Sequence, residues 1–230
     1  MLIGITGRTK NNCIARSGKT TVASKIQRLT GALLHNFSDP RHAMVKAGFG
    51  IDGRSKKFDI GSAKNDPIDW LSSNSKKISL RYILETLGTG WGRELLVDDL
   101  WLRCADRFLS NNNDMIVVIC DVRFKNEVEW IRKNGGTMIH VCRPNYEYIP
   151  PVVTMGLLGR IKSLLRVRHK SNKALPINKD DHVIINNTTI GELKIQTRSV
   201  LEDIIRSTHE YTDISYTTSG AMITHQVSKK

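Results

Sequence analysis

The sequence predicts an α/β protein with a doubly wound, mostly parallel sheet of about five strands and helices on both faces. Three observations predict it. Short apolar runs alternate with segments of helical periodicity. One run, MIVVIC (115–120), is apolar throughout, as a strand buried on both faces must be. The first run ends in a glycine and leads to Gly18-Lys19-Thr20, the close of a phosphate-binding loop, at the start of a helix. In such sheets ligands bind beyond the carboxyl ends of the strands, which here carry Gly7, Asp121 and Arg143.

The elements follow in order. LIGIT (2–6) is the first strand, and Val22, Ala23, Ile26, Leu29 and Leu33 give the next segment a helical apolar stripe. ALLHNF (32–37) contains the second strand, and Ser38 or Asp39 caps a helix beginning at Pro40. Residues 50–77 are polar and rich in Gly, Lys and Asn, which predicts a long surface excursion. Residues 80–109 are helical in pattern with a break at GTGWG (88–92). After the MIVVIC strand come a helix over 125–133, a stop at Gly135-Gly136, and the strand TMIHVC (137–142). Residues 144–180 are basic and irregular around an amphipathic piece at 156–168. HVIINN (182–187) is the last strand, and Thr189 with Glu192 forms a capping box for a closing helix over 189–207. Residues 211–230 lack helical periodicity and read as a flexible tail.

A chain of 230 residues can bury a sizeable core, and its apolar fraction of 40% agrees. It shows neither an apolar run long enough to span a membrane nor a signal peptide, so a cytoplasmic protein is expected. The four cysteines form no CxxC pair and read as reduced thiols, with Cys13 the exposed one. A net charge of +13 calls for anionic partners, and both nucleotides and nucleic acids qualify. Aromatic residues make up only 6% and are not interleaved with the basic ones, which makes nucleic acid the weaker choice.

A phosphate loop needs clustered backbone N–H groups and one lysine around phosphate oxygens. Ser17, Gly18, Lys19, Thr20 and Thr21 supply its end, with Lys19 as the cation for the β- and γ-phosphates and Thr20 as a hydroxyl ligand for Mg²⁺. The first glycine is out of place, because Cys13 stands where it belongs and Gly7 lies further upstream. Removing Arg8 to Cys13 restores a complete loop, so these six residues read as an insertion bulging into solvent. Lengthening the intervening segment in this way adds only about 0.8 kcal/mol of closure entropy. Asp121 ends an apolar strand, where a second metal-binding carboxylate belongs; the plainer reading is a cap for the helix near Lys125. Arg123 shares that rim, or else is a solvated surface arginine.

IARSGKTT (14–21), LETLGTGWGRE (84–94), LWLRCADRF (100–108), the stretch 117–144 containing DVRFKNE, and DDHVIINNTTIGELKIQ (180–196) together resemble the deoxynucleoside monophosphate kinases of tailed bacteriophages. The resemblance covers about two-thirds of the chain in order. It implies ATP- and magnesium-dependent phosphorylation of deoxynucleoside monophosphates to diphosphates in phage nucleotide metabolism, on an adenylate-kinase-like fold. Residues 1–210 would form one kinase domain, with an acceptor-binding region over about 38–100 and a lid over about 144–180. Arg93 and Arg123 would hold the acceptor phosphate or lie close to it, and Arg143 with the basic 156–170 segment would close over the ATP phosphates. Trp91 and Trp101 would flank the acceptor base or pack in the core. Two positions depart from the family pattern: Thr20 replaces an acidic residue, and Asn172 replaces a glutamate in HKSN (169–172). A nucleic-acid-binding ATPase and a catalytically inactive interaction protein remain as alternatives, and a homodimer is compatible with the chain.

Overall fold

The computed structural model describes residues 1–9, 17–55, 63–144 and 174–226, with side chains only as far as 208 in the last segment. Five parallel strands form one sheet in the order β2-β3-β1-β4-β5. They are β1 (Leu2–Arg8), β2 (Leu33–His35), β3 (Val117–Ile119), β4 (Thr137–Cys142) and β5 (His182–Ile185). β1 lies at the centre, in register with β3 from Leu2↔Val117 and with β4 from Ile3↔Thr137 to Arg8↔Cys142.

The pleat sends alternate residues to opposite faces, and each face has its own helices. Ile3, Ile5, Val118, Ile139, Val141 and Ile184 pack with Val22, Ala23 and Ile26 of α1 (Lys19–Thr30) and with Leu193, Leu201 and Ile204 of α6 (Ile190–Gln226). Leu2, Val117, Ile119 and Met138 face Trp101 and Ala105 of α4 (Leu100–Ser110) and Val128, Trp130 and Ile131 of α5 (Lys125–Lys133). A third, smaller core of Val45, Leu80 and Ile83 joins α2 (Asp39–Phe49) to α3 (Leu80–Glu85), within the region read as acceptor-binding. None of the described helices is long and apolar enough to cross a membrane.

The structure departs from the sequence reading in four places. At 88–92 the chain does not break: α3 runs straight into a π-helix, Thr86–Leu96. Its glycines make room for neighbours, since a Cβ on Gly92 would meet the Trp101 ring and one on Gly88 the Arg41 side chain. In return, Trp101 Nε1 donates to the Gly88 carbonyl at 2.8 Å. Second, Arg8 does not bulge into solvent. It is the last residue of β1, partly buried, and its guanidinium donates to the Leu175 carbonyl at 3.2 Å. Third, the backbone of α6 stays helical to Gln226 where the sequence predicts a tail; after Gly191 the helix contains no proline and a single glycine, Gly220.

Fourth, Ser38 starts α2 without a side-chain cap bond of its own. Asp121 serves that end instead, its two carboxylate oxygens accepting from the N–H groups of Phe37 at 2.8 Å and Ser38 at 3.1 Å. The other terminal signals are where the sequence puts them. Gly135 takes φ +67° just after α5, and Thr189 and Glu192 exchange side chain-to-backbone bonds of 3.2 Å in each direction. Residues 10–16, with Cys13 and most of the loop insertion, and residues 145–173, with the amphipathic piece and Asn172, lie outside the described residues.

Candidate active site

The C-terminal rim of the sheet carries two groups of cationic residues, built in different ways. The first is a cleft of about 400 Å³ lined by Gly18, Lys19, Thr20, Thr21, Arg143, Asn186, Thr188, Ile190 and Leu193. It opens at the N-terminus of α1, where the first N–H groups have no partner within the helix. Among the described residues that turn has no side-chain cap and no acidic residue, and its positive end favours an anion. Gly18 sits at φ +105°, in a region that side-chain-bearing residues rarely occupy. A Cβ there would also stand 2.7 Å from Asn186 Nδ2.

Asn186 is the clamp of this cleft. Its Nδ2 donates to the Ser17 carbonyl at 2.8 Å and its N–H to the Cys142 carbonyl at 2.7 Å, which ties the loop end to β4 and β5. The Ser17 side chain is fully buried, and its Oγ has no hydrogen-bond partner among the described residues. Gly7 is buried within β1, opposite Val141, at the strand end that enters the loop.

The second group lies where β3 turns into α5. Glu127, 3% exposed, accepts with Oε2 from the N–H groups of Arg123 at 2.7 Å and Phe124 at 3.0 Å, and with Oε1 from Arg93 at 3.0 Å. The Arg93 guanidinium lies over the Phe124 ring, 4.4 Å from its centroid. Arg41, from α2, lies 5.6 Å from the Trp101 ring centroid. Its Nε is buried with no partner among the described residues, and its one terminal bond, to the Leu84 carbonyl, is long at 3.4 Å.

The electrostatics join these residues. Burial lowers the Arg41 pKa from its usual value; Asp121 and Glu127 oppose that shift, while Arg93 and Arg123 add to it. Arg41 thus feels two carboxylates and two further guanidiniums, and with its own charge the neighbourhood carries a positive surplus suited to an anion. Burial and then Asp121 push the Glu127 carboxyl up to about 7, against the pull of its N–H donors and Arg93. The Cys120 thiol, pushed up to about 12 first by burial and then by Asp121, feels Arg54 and Lys19 in the opposite sense.

Of the residues singled out from sequence, Lys19, Thr20, Thr21, Gly18 and Arg143 share the first cleft. Arg93, Arg123 and Asp121 meet in the second group, where the Arg123 side chain is exposed. Trp101 is a core residue at 3% exposure, and Trp91 is half-buried against the same core. Sequence reasoning missed Arg41, Glu127 and Asn186 as site residues. For Glu127 a signal existed, because it stands three residues after the residue preceding α5, at capping-box spacing. Nothing local marks Arg41 or Asn186.

A parallel sheet with a lysine-bearing glycine turn at its first helix and an arginine cluster at its rim defines a phosphotransferase of the nucleotide-kinase type. The family model for deoxynucleotide monophosphate kinase matches residues 41–158, and the chain belongs to that family. A protein of Acanthamoeba polyphaga mimivirus named as a deoxynucleotide monophosphate kinase is 27% identical over 195 residues, covering 81% of this chain and 92% of its own length. The deoxynucleoside-5′-monophosphate kinase of Escherichia phage T5 is 26% identical over 120 residues, 52% of this chain and 44% of that enzyme. Among solved structures, dephospho-CoA kinase from Campylobacter jejuni aligns with 90% of this chain and 98% of its own, at 17% identity and a TM-score of 0.44.

Proposed function

We propose that this kinase transfers the γ-phosphoryl group of ATP to a deoxynucleoside monophosphate, with the donor phosphates in the Gly18–Thr21 cleft and the acceptor phosphate at the Arg41, Arg93 and Arg123 cluster. The observation that carries this reading is the pairing of two cationic sites on one rim of the sheet, the cleft following β1 and the arginine cluster following its neighbour β3.

The chemistry asks little beyond alignment and charge. A phosphate monoester is mostly dianionic at neutral pH, its second pKa being about 6, so the attacking oxygen needs no general base. Phosphoryl transfer is then governed by holding two nucleotides in line and stabilising charge on the moving group. Lys19 places a point charge at the donor phosphates, and Arg143 bounds the same cleft beside Thr188 and Ile190, where the nucleoside of ATP has room. Arg93 and Arg41 neutralise the acceptor phosphate, and Arg123 reaches it from the exposed rim.

Magnesium takes few protein ligands and keeps substrate phosphates and water as the rest. Thr20 fits that role, since its exposed hydroxyl lines the cleft beside Lys19. Asp121 fits as a weaker partner, because each of its oxygens already accepts one backbone N–H. When bound, the ion would neutralise charge on the transferring phosphates.

The test is to incubate the protein with ATP, Mg²⁺ and each of the deoxynucleoside monophosphates in turn and to measure diphosphate. Formation with at least one acceptor is expected. ATP hydrolysis that responds to DNA and not to any monophosphate would overturn the proposal.

A further inference from the structure

Glu127 spends its two oxygens on different tasks. Oε2 closes the turn between β3 and α5 through the N–H groups of Arg123 and Phe124, while Oε1 receives the Arg93 guanidinium. Arg93 comes from the π-helix, 34 residues away in sequence, and rests on the ring of Phe124, whose own N–H is held by the same carboxylate. One side chain therefore sets the backbone from which Arg123 projects, the ring under Arg93 and the Arg93 guanidinium itself.

Capping a helix requires none of this. A neutral acceptor at a solvated helix start satisfies the same N–H groups, whereas burying a carboxylate costs free energy unless it is fully paired. The charged groups that act on Glu127 are Asp121 from the turn, Arg93 from the π-helix and Arg41 from α2. Two of these three are cations of the cluster.

We infer that Glu127 is a positioning residue of the acceptor site, orienting Arg93 and the Arg123 turn so that the monophosphate meets cations already in place. The inference rests on reading the arginine cluster as the acceptor site. Prearranged hydrogen-bond donors act without reorganising at the moment of reaction, and a guanidinium freed from its carboxylate must be ordered by the substrate instead. The loss should therefore fall on the acceptor and spare the donor.

The experiment uses Glu127→Gln, which keeps an oxygen for the Arg123 and Phe124 N–H groups but places an amide where Arg93 needs an acceptor. Glu127→Gln is expected to raise the KM for the monophosphate about tenfold, as loss of one charge-assisted contact does. The KM for ATP should stay within about twofold. In an Arg93→Ala background the same change should add less than about twofold, because a residue acting through Arg93 has nothing left to orient. An unchanged acceptor KM, equal shifts in both KM values, or full additivity with Arg93→Ala would each overturn the role while leaving the kinase reading intact. A wild-type protein that binds no deoxynucleoside monophosphate by calorimetry would overturn the acceptor-site reading and the role together.

Discussion

The Gly18–Thr21 cleft and the arginine cluster sit on one sheet rim, yet they are made from opposite materials. The cleft is mostly backbone: an uncapped helix start, a glycine at φ +105° and a carbonyl held by Asn186, with Lys19 and Arg143 at its wall. The cluster is mostly side chain: Arg41, Arg93, Asp121 and Glu127 come from α2, the π-helix, the turn before α5 and α5 itself. A backbone site tolerates neighbours that change and fails when its glycine or lysine changes. A side-chain site is a coupled network, in which removing one member leaves another buried without its partner.

The sharpest way to separate the two is Lys19→Met. It removes a point charge from the cleft, so kcat should fall about a hundredfold, the usual loss for an electrostatic contact made in the transition state. Circular dichroism should show an unchanged fold. More than about a tenth of wild-type kcat would place Lys19 outside the reaction.

Next in size is Arg93→Ala, expected to raise the KM for the monophosphate by at least about tenfold while the KM for ATP stays near its wild-type value, read from initial rates with each substrate varied. It also leaves Glu127 buried without its guanidinium, so the melting temperature should fall as well. Equal effects on both substrates would dissolve the distinction between the sites.

Gly92→Ala probes the packing beneath the cluster. The added Cβ meets the Trp101 ring and approaches the Leu87 carbonyl, and overpacking of this kind costs about 1–3 kcal/mol. Chemical denaturation should show it as a lower midpoint with an unchanged slope. A neutral result would mean that the π-helix yields easily.

The smallest effect is a pH dependence. Glu127 has its pKa raised from 4.5 to about 7 in the folded chain, so between these values the native state holds a proton that the unfolded state releases. Its contribution is therefore fully present below about 4.5 and is lost as pH rises through about 7. Across that window Glu127→Gln should lose less stability than the wild type as pH rises, as measured by urea midpoints. Parallel curves for the two proteins would show that Glu127 does not titrate there.

The same contrast explains what could be read from the sequence. The cleft is local: Gly18, Lys19, Thr20 and Thr21 are consecutive, and the strand and helix around them carry plain period-2 and period-3.6 patterns. β4 and α5 were legible to the residue for the same reason, with Gly135 as the stop. The cluster is not local. Asp121 was visible as a strand-end carboxylate, but that its oxygens would serve the start of α2 depends on β2 and β3 lying side by side. Arg41 looks like any first-turn arginine until the Gly88 backbone is brought against it. The π-helix was hidden because glycines at 88, 90 and 92 read as breakers, whereas two of them are packing contacts for Arg41 and Trp101.

The proposed transfer requires the two sites to face one gap. The most direct test is a bisubstrate ligand, an adenosine and a deoxynucleoside joined through a five-phosphate chain, assayed as an inhibitor against each substrate. Competition with both ATP and the monophosphate is expected, with binding at least about a hundredfold tighter than either nucleotide alone, since the second site is filled at the effective concentration of a short linker. Competition with only one substrate, at an affinity no better than that nucleotide's own, would contradict it.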